Sequence, residues 1–342
     1  MTDELHALLA CPACLEGDLL GLDGDGQAPE RTLACGGCGA RYPVRGGIPI
    51  LLPPGLDPRA AHDELDHAGG HKHRQAGWFD RSVAEEFETS RPHGTPRAHR
   101  WLLSSKLGRG LARLPSLRGA TVVDACCGSG MEAEFLARRG ARVLALDISE
   151  GAARRARARA ERFGLDYLTV VGDVERLPLR DHAVDIAYVH DGLHHLADPM
   201  VGIRELARVA SRAVSVNEPA DAALTRVAVL LGLSADEEEA GNAVRRLRPA
   251  AVRRELEAAG FQVSVDRYLM YYRHQPGALM RLLSRPLVFP LYRQLVAIAN
   301  LAVGRYGNKL GLVARSTGVE PSRDPFRTCP RRSAAPRGSS TR

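Results

Sequence analysis

The sequence predicts an α/β chain, an open and largely parallel sheet with helices on both faces, preceded by a small cysteine-bound unit. Three observations carry this. Apolar runs at Thr121 to Ala125, Ala141 to Asp147, Tyr167 to Val171 and Val184 to Val189 alternate with helical stretches, the pattern of βαβ units. The first run passes through Asp124 and Cys126 into Gly128-Ser-Gly130, then into a helical Met131 to Gly140, giving strand, tight turn and helix. Finally, Cys11-Pro-Ala-Cys14 is followed by Cys35-Gly-Gly-Cys38, two C-x-x-C pairs.

Length and composition agree. A chain of 342 residues exceeds one average domain, and 44% hydrophobic with 25% charged residues is ordinary for a water-soluble globular protein. No apolar run is long enough to span a membrane, and Met1 to Leu5 lacks the basic start of a signal peptide, so a cytoplasmic protein is expected. The net charge of +7 permits an acidic partner, nucleic acid included, but does not favour one.

In chain order, Cys11, Cys14, Cys35 and Cys38 supply four thiolates for one tetrahedral zinc. All positions are filled, so Zn2+ is expected to hold structure rather than catalyse. Residues 40–52 follow as a strand closing the ribbon, with Leu51 and Leu52 available for docking. The ribbon is assigned to residues 1–54. Residues 55–76, rich in Pro and Gly, read as a linker whose His62, His67, His71 and His73 are solvated. The α/β domain then covers 77–316, and a basic tail expected to be disordered covers 317–342, Cys329 within it. Trp78 to Glu88 has helical period, and Phe87, Glu88, Arg91 and His93 are candidates for a lid.

Within the domain, the glycines let a ligand lie against bare backbone. Asp147 ends the second strand 23 residues after Asp124, near the spacing that places a carboxylate on a ribose. Glu132 and Glu134 fall in the first helical turn, where they repel a pyrophosphate, so the nucleoside ligand is expected to lack phosphate. Arg154 to Arg159 is read as a solvated basic face. His194 and His195 follow the fourth strand, and an imidazole there can accept a proton. Glu218-Pro219 ends the fifth strand. Residues 221–242 suggest an extra helix with an acidic turn at 236–239. A helix opened by Pro249 precedes the last two strands, at 261–266 and 309–314.

These residues together resemble the class I S-adenosylmethionine-dependent methyltransferases, of the small-molecule type with a His-His segment after strand four. The resemblance implies a Rossmann-like sheet of seven strands, the last antiparallel, and S-adenosyl-L-methionine as cofactor. Carried over, Asp124, Cys126, Gly128 and Gly130 face the methionine part, Asp147 and Ile148 the ribose side, and Asp173 with Val174 the adenine, with His190 beside them. Cys126 stands where the family usually has glycine and is read as packing. The N-terminal unit resembles the zinc ribbon known as a small methyltransferase activator. The resemblance implies methyl transfer to a small, apolar metabolite, with His194 and His195 as candidate catalytic residues; a ribosomal or transfer RNA base methyltransferase and a non-catalytic scaffold are the alternatives. Residues 268–308, apolar and arginine-spaced, form an insertion expected to cap an apolar substrate or rest on a membrane.

Overall fold

The computed structural model describes residues 5–22, 31–56, 67–81, 96–223, 225–226, 244–270 and 277–318. Four short strands come first: β1 (Leu19–Leu22), β2 (Arg31–Cys35), β3 (Arg41–Arg45) and β4 (Ile48–Leu51). Helices α1 (His67–Arg81) and α2 (Arg97–Gly108) follow. The central part alternates β5 (Thr121–Ala125), α3 (Met131–Ala137), β6 (Arg142–Asp147), α4 (Glu150–Phe163) and β7 (Leu168–Gly172). It continues through β8 (Val184–His190), α5 (Pro199–Val209) and β9 (Ala210–Pro219). After α6 (Pro249–Ala258) come β10 (Phe261–Tyr268), α7 (Ala278–Leu283), α8 (Val288–Val303) and β11 (Lys309–Ser316).

The strands form one sheet in the order β1-β2-β3-β4-β7-β6-β5-β8-β9-β11-β10. Pairing is parallel from β4 to β9, and β11 lies antiparallel between β9 and β10. The seven strands from β7 to β10 are thus the Rossmann-like sheet that the sequence predicts, with its final strand reversed. Every residue of β5 and β7 is buried, which is why these strands are continuous apolar runs rather than alternating ones. Chain order reverses between β5 and β8, so the crevice outside their carboxyl ends is the ligand-binding edge of such a sheet. Helix starts agree with the sequence: Ser149 caps α4 by accepting from the Ala152 N–H at 2.9 Å, and Asp198 caps α5 ahead of Pro199.

Several features differ from the sequence reading. Residues 40–52 are not one ribbon strand, because Gly46 and Gly47, at φ 53° and 78°, turn the chain between β3 and β4. The second arm leaves the ribbon and pairs with β7, Ile50 opposite Val171 and Leu51 opposite Gly172. Ribbon and α/β unit consequently share one core, in which Leu5, Leu9, Tyr42 and Leu51 pack with Leu146 and Val170. Helix α1 begins at His67, inside the stretch read as linker, and His73 on it is buried rather than solvated. Arg159, read as part of a solvated face, is 2% exposed. His62, Phe87, Glu88, Arg91, His93, the acidic turn at 236–239 and the tail beyond Gly318 lie outside the described residues.

Candidate functional site

The four ribbon cysteines converge, their sulfurs all within 4.8 Å of one another. Cys11 Sγ lies 3.6 Å from Cys38 Sγ, as does Cys14 Sγ from Cys35 Sγ. A tetrahedral ion with metal–sulfur bonds of about 2.3 Å needs sulfur separations of roughly 3.8 Å, so the set fits zinc. The Gly17 N–H donates to Cys14 Sγ at 3.3 Å and the Cys38 N–H to Cys35 Sγ at 3.4 Å. A Cβ on Gly17 would run into Cys35 Sγ, which explains the glycine there.

At the sheet edge, four strand ends contribute acids. Asp124, on β5, is 1% exposed, and its Oδ2 has no hydrogen-bond partner. Burial, with Glu132 and Asp147 nearby, holds its carboxyl well above the usual carboxylate range. Asp147, ending β6, accepts from the Gly128 N–H and the Ser149 N–H, both at 2.9 Å. Burial raises its pKa despite these bonds. Asp173 follows β7 and Glu218 ends β9. Cys126 sits among all four: burial, then Asp147, Glu218, Asp124 and Asp173, push its thiol far up, which leaves no thiolate nucleophile. Cys126 also takes φ 60°, the left-handed region where glycine is at ease, and its Sγ would lie 2.9 Å from a Cβ on Gly192. Ile148 packs toward Ile50 and Val171, and Val174 is buried.

The glycine turn is held from behind. Gly128, at φ 51°, has open space where a Cβ would stand. Gly130, at φ 80°, has the Ala156 Cβ and Tyr167 hydroxyl 2.9 Å from that point and admits no side chain. Arg159 donates through Nε to the Ser129 carbonyl at 3.0 Å and pairs with Glu134 at 3.2 Å. Glu134, also paired with Arg138 at 2.7 Å, is therefore neutralised, and the acidic rim rests on Asp124 and Glu132. Burial pushes Glu132 up to about 7. His190 turns its Nδ1 toward Glu132 Oε1 at 3.4 Å, and burial, reinforced by the charge of Lys106, keeps it neutral.

Beyond β8, Leu193–His195 forms a single 3-10 turn. Glu218, 1% exposed, organises it, with Oε1 accepting from the Gly192 N–H at 2.8 Å and the Leu193 N–H at 2.7 Å. Oε2 lies 2.7 Å from His194 Nδ1. A carboxylate only accepts, so Nδ1 carries the proton and Nε2 is the acceptor nitrogen. His195 lies against His194 with ring centroids 4.2 Å apart, and meets Phe79 in an edge-to-face contact at 5.7 Å. Next to this turn, Asp191 accepts from Lys106 and, at 3.3 Å, from Lys309; the two ammonium groups overcome burial and hold it far below the usual carboxylate range.

Helix α1 covers the crevice. Its Lys72 donates to Asp173 Oδ2 at 2.5 Å and to Glu175, its His71 ring bonds the His195 carbonyl at 2.7 Å, and its Asp80 accepts from Ser149 Oγ at 2.6 Å. Lys72, Asp80, Lys106 and Lys309 escape a sequence reading, because each reaches the edge from a distant element. A Cβ on Gly151 would stand 2.8 Å from the Asp80 backbone, the one local trace of this packing.

Residues 123–213 match the family of methyltransferase domains. The match runs from β5 into β9, the parallel centre of the sheet. The demethylmenaquinone methyltransferase of Thermobifida fusca is 32% identical over 138 residues, 39% of this chain and 55% of that protein. The malonyl-[acyl-carrier protein] O-methyltransferase of Pectobacterium atrosepticum is 42% identical over 78 residues, 23% of this chain and 29% of that protein. The chain thus spans about half, or less, of the length of the curated relatives it matches. Among solved structures, magnesium protoporphyrin IX methyltransferase from Synechocystis PCC 6803 aligns at 20% identity with a TM-score of 0.44, over 64% of this chain and 84% of that one.

Proposed function

We propose that the chain transfers a methyl group from S-adenosylmethionine to a small, apolar acceptor bearing an ionisable O–H, N–H or acidic C–H. The observation that carries this reading is the buried Glu218–His194 pair, which presents an imidazole in the proton-accepting tautomer beside the carboxylates of a nucleoside site. When bound, S-adenosylmethionine supplies an electrophilic methyl group on a sulfonium. The residues fit it. A buried carboxylate oxygen without a partner costs about 1–3 kcal/mol, and Asp124 Oδ2 is such an oxygen, suited to the ammonium of the methionine part. Gly128 opens onto space in which a ligand can touch backbone. Asp147 keeps lone pairs for ribose hydroxyls beyond those taken by Gly128 and Ser149. Asp173 accepts from the adenine amino group, in competition with Lys72, while the Val174 N–H donates to an adenine ring nitrogen.

His194 Nε2 accepts the acceptor's proton while Glu218 stabilises the imidazolium. His195, in contact with His194 and Phe79, shapes the wall. Alignment of acceptor and methyl contributes several kcal/mol without further acid–base groups. Cys11, Cys14, Cys35 and Cys38 hold one structural zinc. The relatives named for demethylmenaquinone and a malonyl-acyl carrier support a small acceptor over RNA. The test incubates the full chain with methyl-labelled cofactor and, in parallel, a lipid extract, a water-soluble metabolite extract and total RNA. Label in either of the first two supports the reading. Label in RNA overturns the small acceptor, and no label with no calorimetric cofactor binding overturns the enzyme.

A further inference from the structure

Of the eleven large hydrophobic side chains exposed among the described residues, nine lie between Leu279 and Tyr306. Along α8 and the Leu287 that precedes it they form a stripe at helical spacing, Leu287, Leu291, Leu295, Ile298 and Leu301, with the two end residues 87% and 90% exposed. The opposite face is seated on the protein. Phe289 is buried with its ring 6.1 Å from Trp101 on α2, Ser284 Oγ accepts from the Ala98 N–H at 2.9 Å, and Asn300 brackets Leu269 through two hydrogen bonds. A cap over a substrate would turn its leucines inward; this hairpin turns them out.

What covers the stripe is decided by charge. Arg281, Arg285 and Arg305 are exposed beside it, and no acidic residue occurs from Arg267 to Gly318. A second copy docked by two-fold symmetry would set these arginines against their own kind without a carboxylate between them. An anionic lipid surface offers them phosphates and accepts the leucines at the headgroup boundary. No described helix is long and apolar enough to cross a membrane, so α8, about 24 Å long, lies in the plane of the surface. We propose that the α7–α8 hairpin docks this protein peripherally on anionic membranes. The site lies at the foot of the hairpin: Tyr268 ends β10 there, and Lys309, which starts β11, bonds Asp191.

The test is independent of catalysis. The full chain is sedimented with phosphatidylcholine vesicles and with vesicles of equal parts phosphatidylcholine and phosphatidylglycerol. Binding to the second should be roughly tenfold tighter or more, and should weaken as salt rises. The triple variant Leu291→Ser, Leu295→Ser, Ile298→Ser should lose it while melting at an unchanged temperature, since these side chains touch solvent. Arg281→Gln with Arg285→Gln should weaken binding to anionic vesicles only. Equal binding of wild type and triple variant overturns the proposal. So does a wild-type dimer, seen by light scattering and dissolved by the triple variant, that ignores vesicles.

Discussion

Replacing Glu218 separates positioning from packing. Its carboxylate accepts three buried donors: the Gly192 and Leu193 N–H groups at 2.8 and 2.7 Å, and His194 Nδ1 at 2.7 Å. Glu218→Ala leaves all three without an acceptor, at about 1–3 kcal/mol each, enough to threaten a fold whose whole stability is roughly 5–15 kcal/mol. Glu218→Gln is the informative change. Its single oxygen can still serve the two backbone donors, so stability should fall by only about 1–2 kcal/mol. Its NH2 then faces His194, and Nδ1 must become the acceptor, moving the ring proton to Nε2. Turnover should drop on the order of 10²-fold or more while cofactor affinity holds. Ring 15N shifts report the tautomer, denaturant melts the stability, and labelled transfer to the acceptor fraction the rate. Wild-type turnover in a variant whose tautomer has inverted would refute the general-base role. An unchanged tautomer would refute the Nδ1–Glu218 assignment itself.

Asp147→Asn should weaken cofactor binding at least tenfold and lower the melting temperature modestly, because Asp147 also ties Gly128 to Ser149; calorimetry showing wild-type affinity removes it from the site. One zinc per chain is expected by elemental analysis, and Gly17→Ala should abolish it by displacing Cys35. Because β4 ends opposite Gly172, next to Asp173, zinc loss should also weaken cofactor binding; affinity indifferent to chelation would refute that coupling. Burial lifts Glu132 from 4.5 to about 7, with Lys106, Asp191 and Arg159 as its charged neighbours. The folded state therefore favours the protonated acid, a contribution present below about pH 4.5 and lost as pH rises through 7, on the order of 3 kcal/mol. Glu132→Gln should flatten the fall in cofactor-free stability over that window, and an identical slope in wild type and variant would refute it.

What the sequence makes legible is what short-range chemistry dictates. The glycine turn, Asp147 at a strand end, the two C-x-x-C pairs and the buried parallel strands each declare themselves within a few residues. Cys126 shows the limit of that reading. Packing accounts for its size, but nothing local announces a left-handed φ at a cysteine. Helix α1 was hidden because His and Gly carry weak helical signal, and its order comes from Asp173, Ser149 and the His195 carbonyl, all far along the chain. Arg159 sits in a basic run that looks solvated until the Ser129 carbonyl and Glu134 are folded beneath it. The insertion's apolar content was plain in sequence, whereas the direction its leucines face depends on which side of α8 receives Trp101.

The pairing of Ile50 with Val171 joins two points 121 residues apart. A chain emerging from the ribosome at about 5–20 residues per second completes β4 roughly 6–24 seconds before β7 exists to receive it. Through that interval the Ile48–Leu51 edge has its backbone donors open on one side, the condition under which strands recruit the wrong neighbour. Pro49, which has no N–H to offer, and the bend at Gly46-Gly47 limit what such a neighbour can find. Four cysteines drawn to one ion would hold the hairpin in register meanwhile. The first segment synthesised would then serve as a template on which the β7 edge of the parallel sheet is laid, and metal supply to the nascent chain would bear on how much of this protein folds.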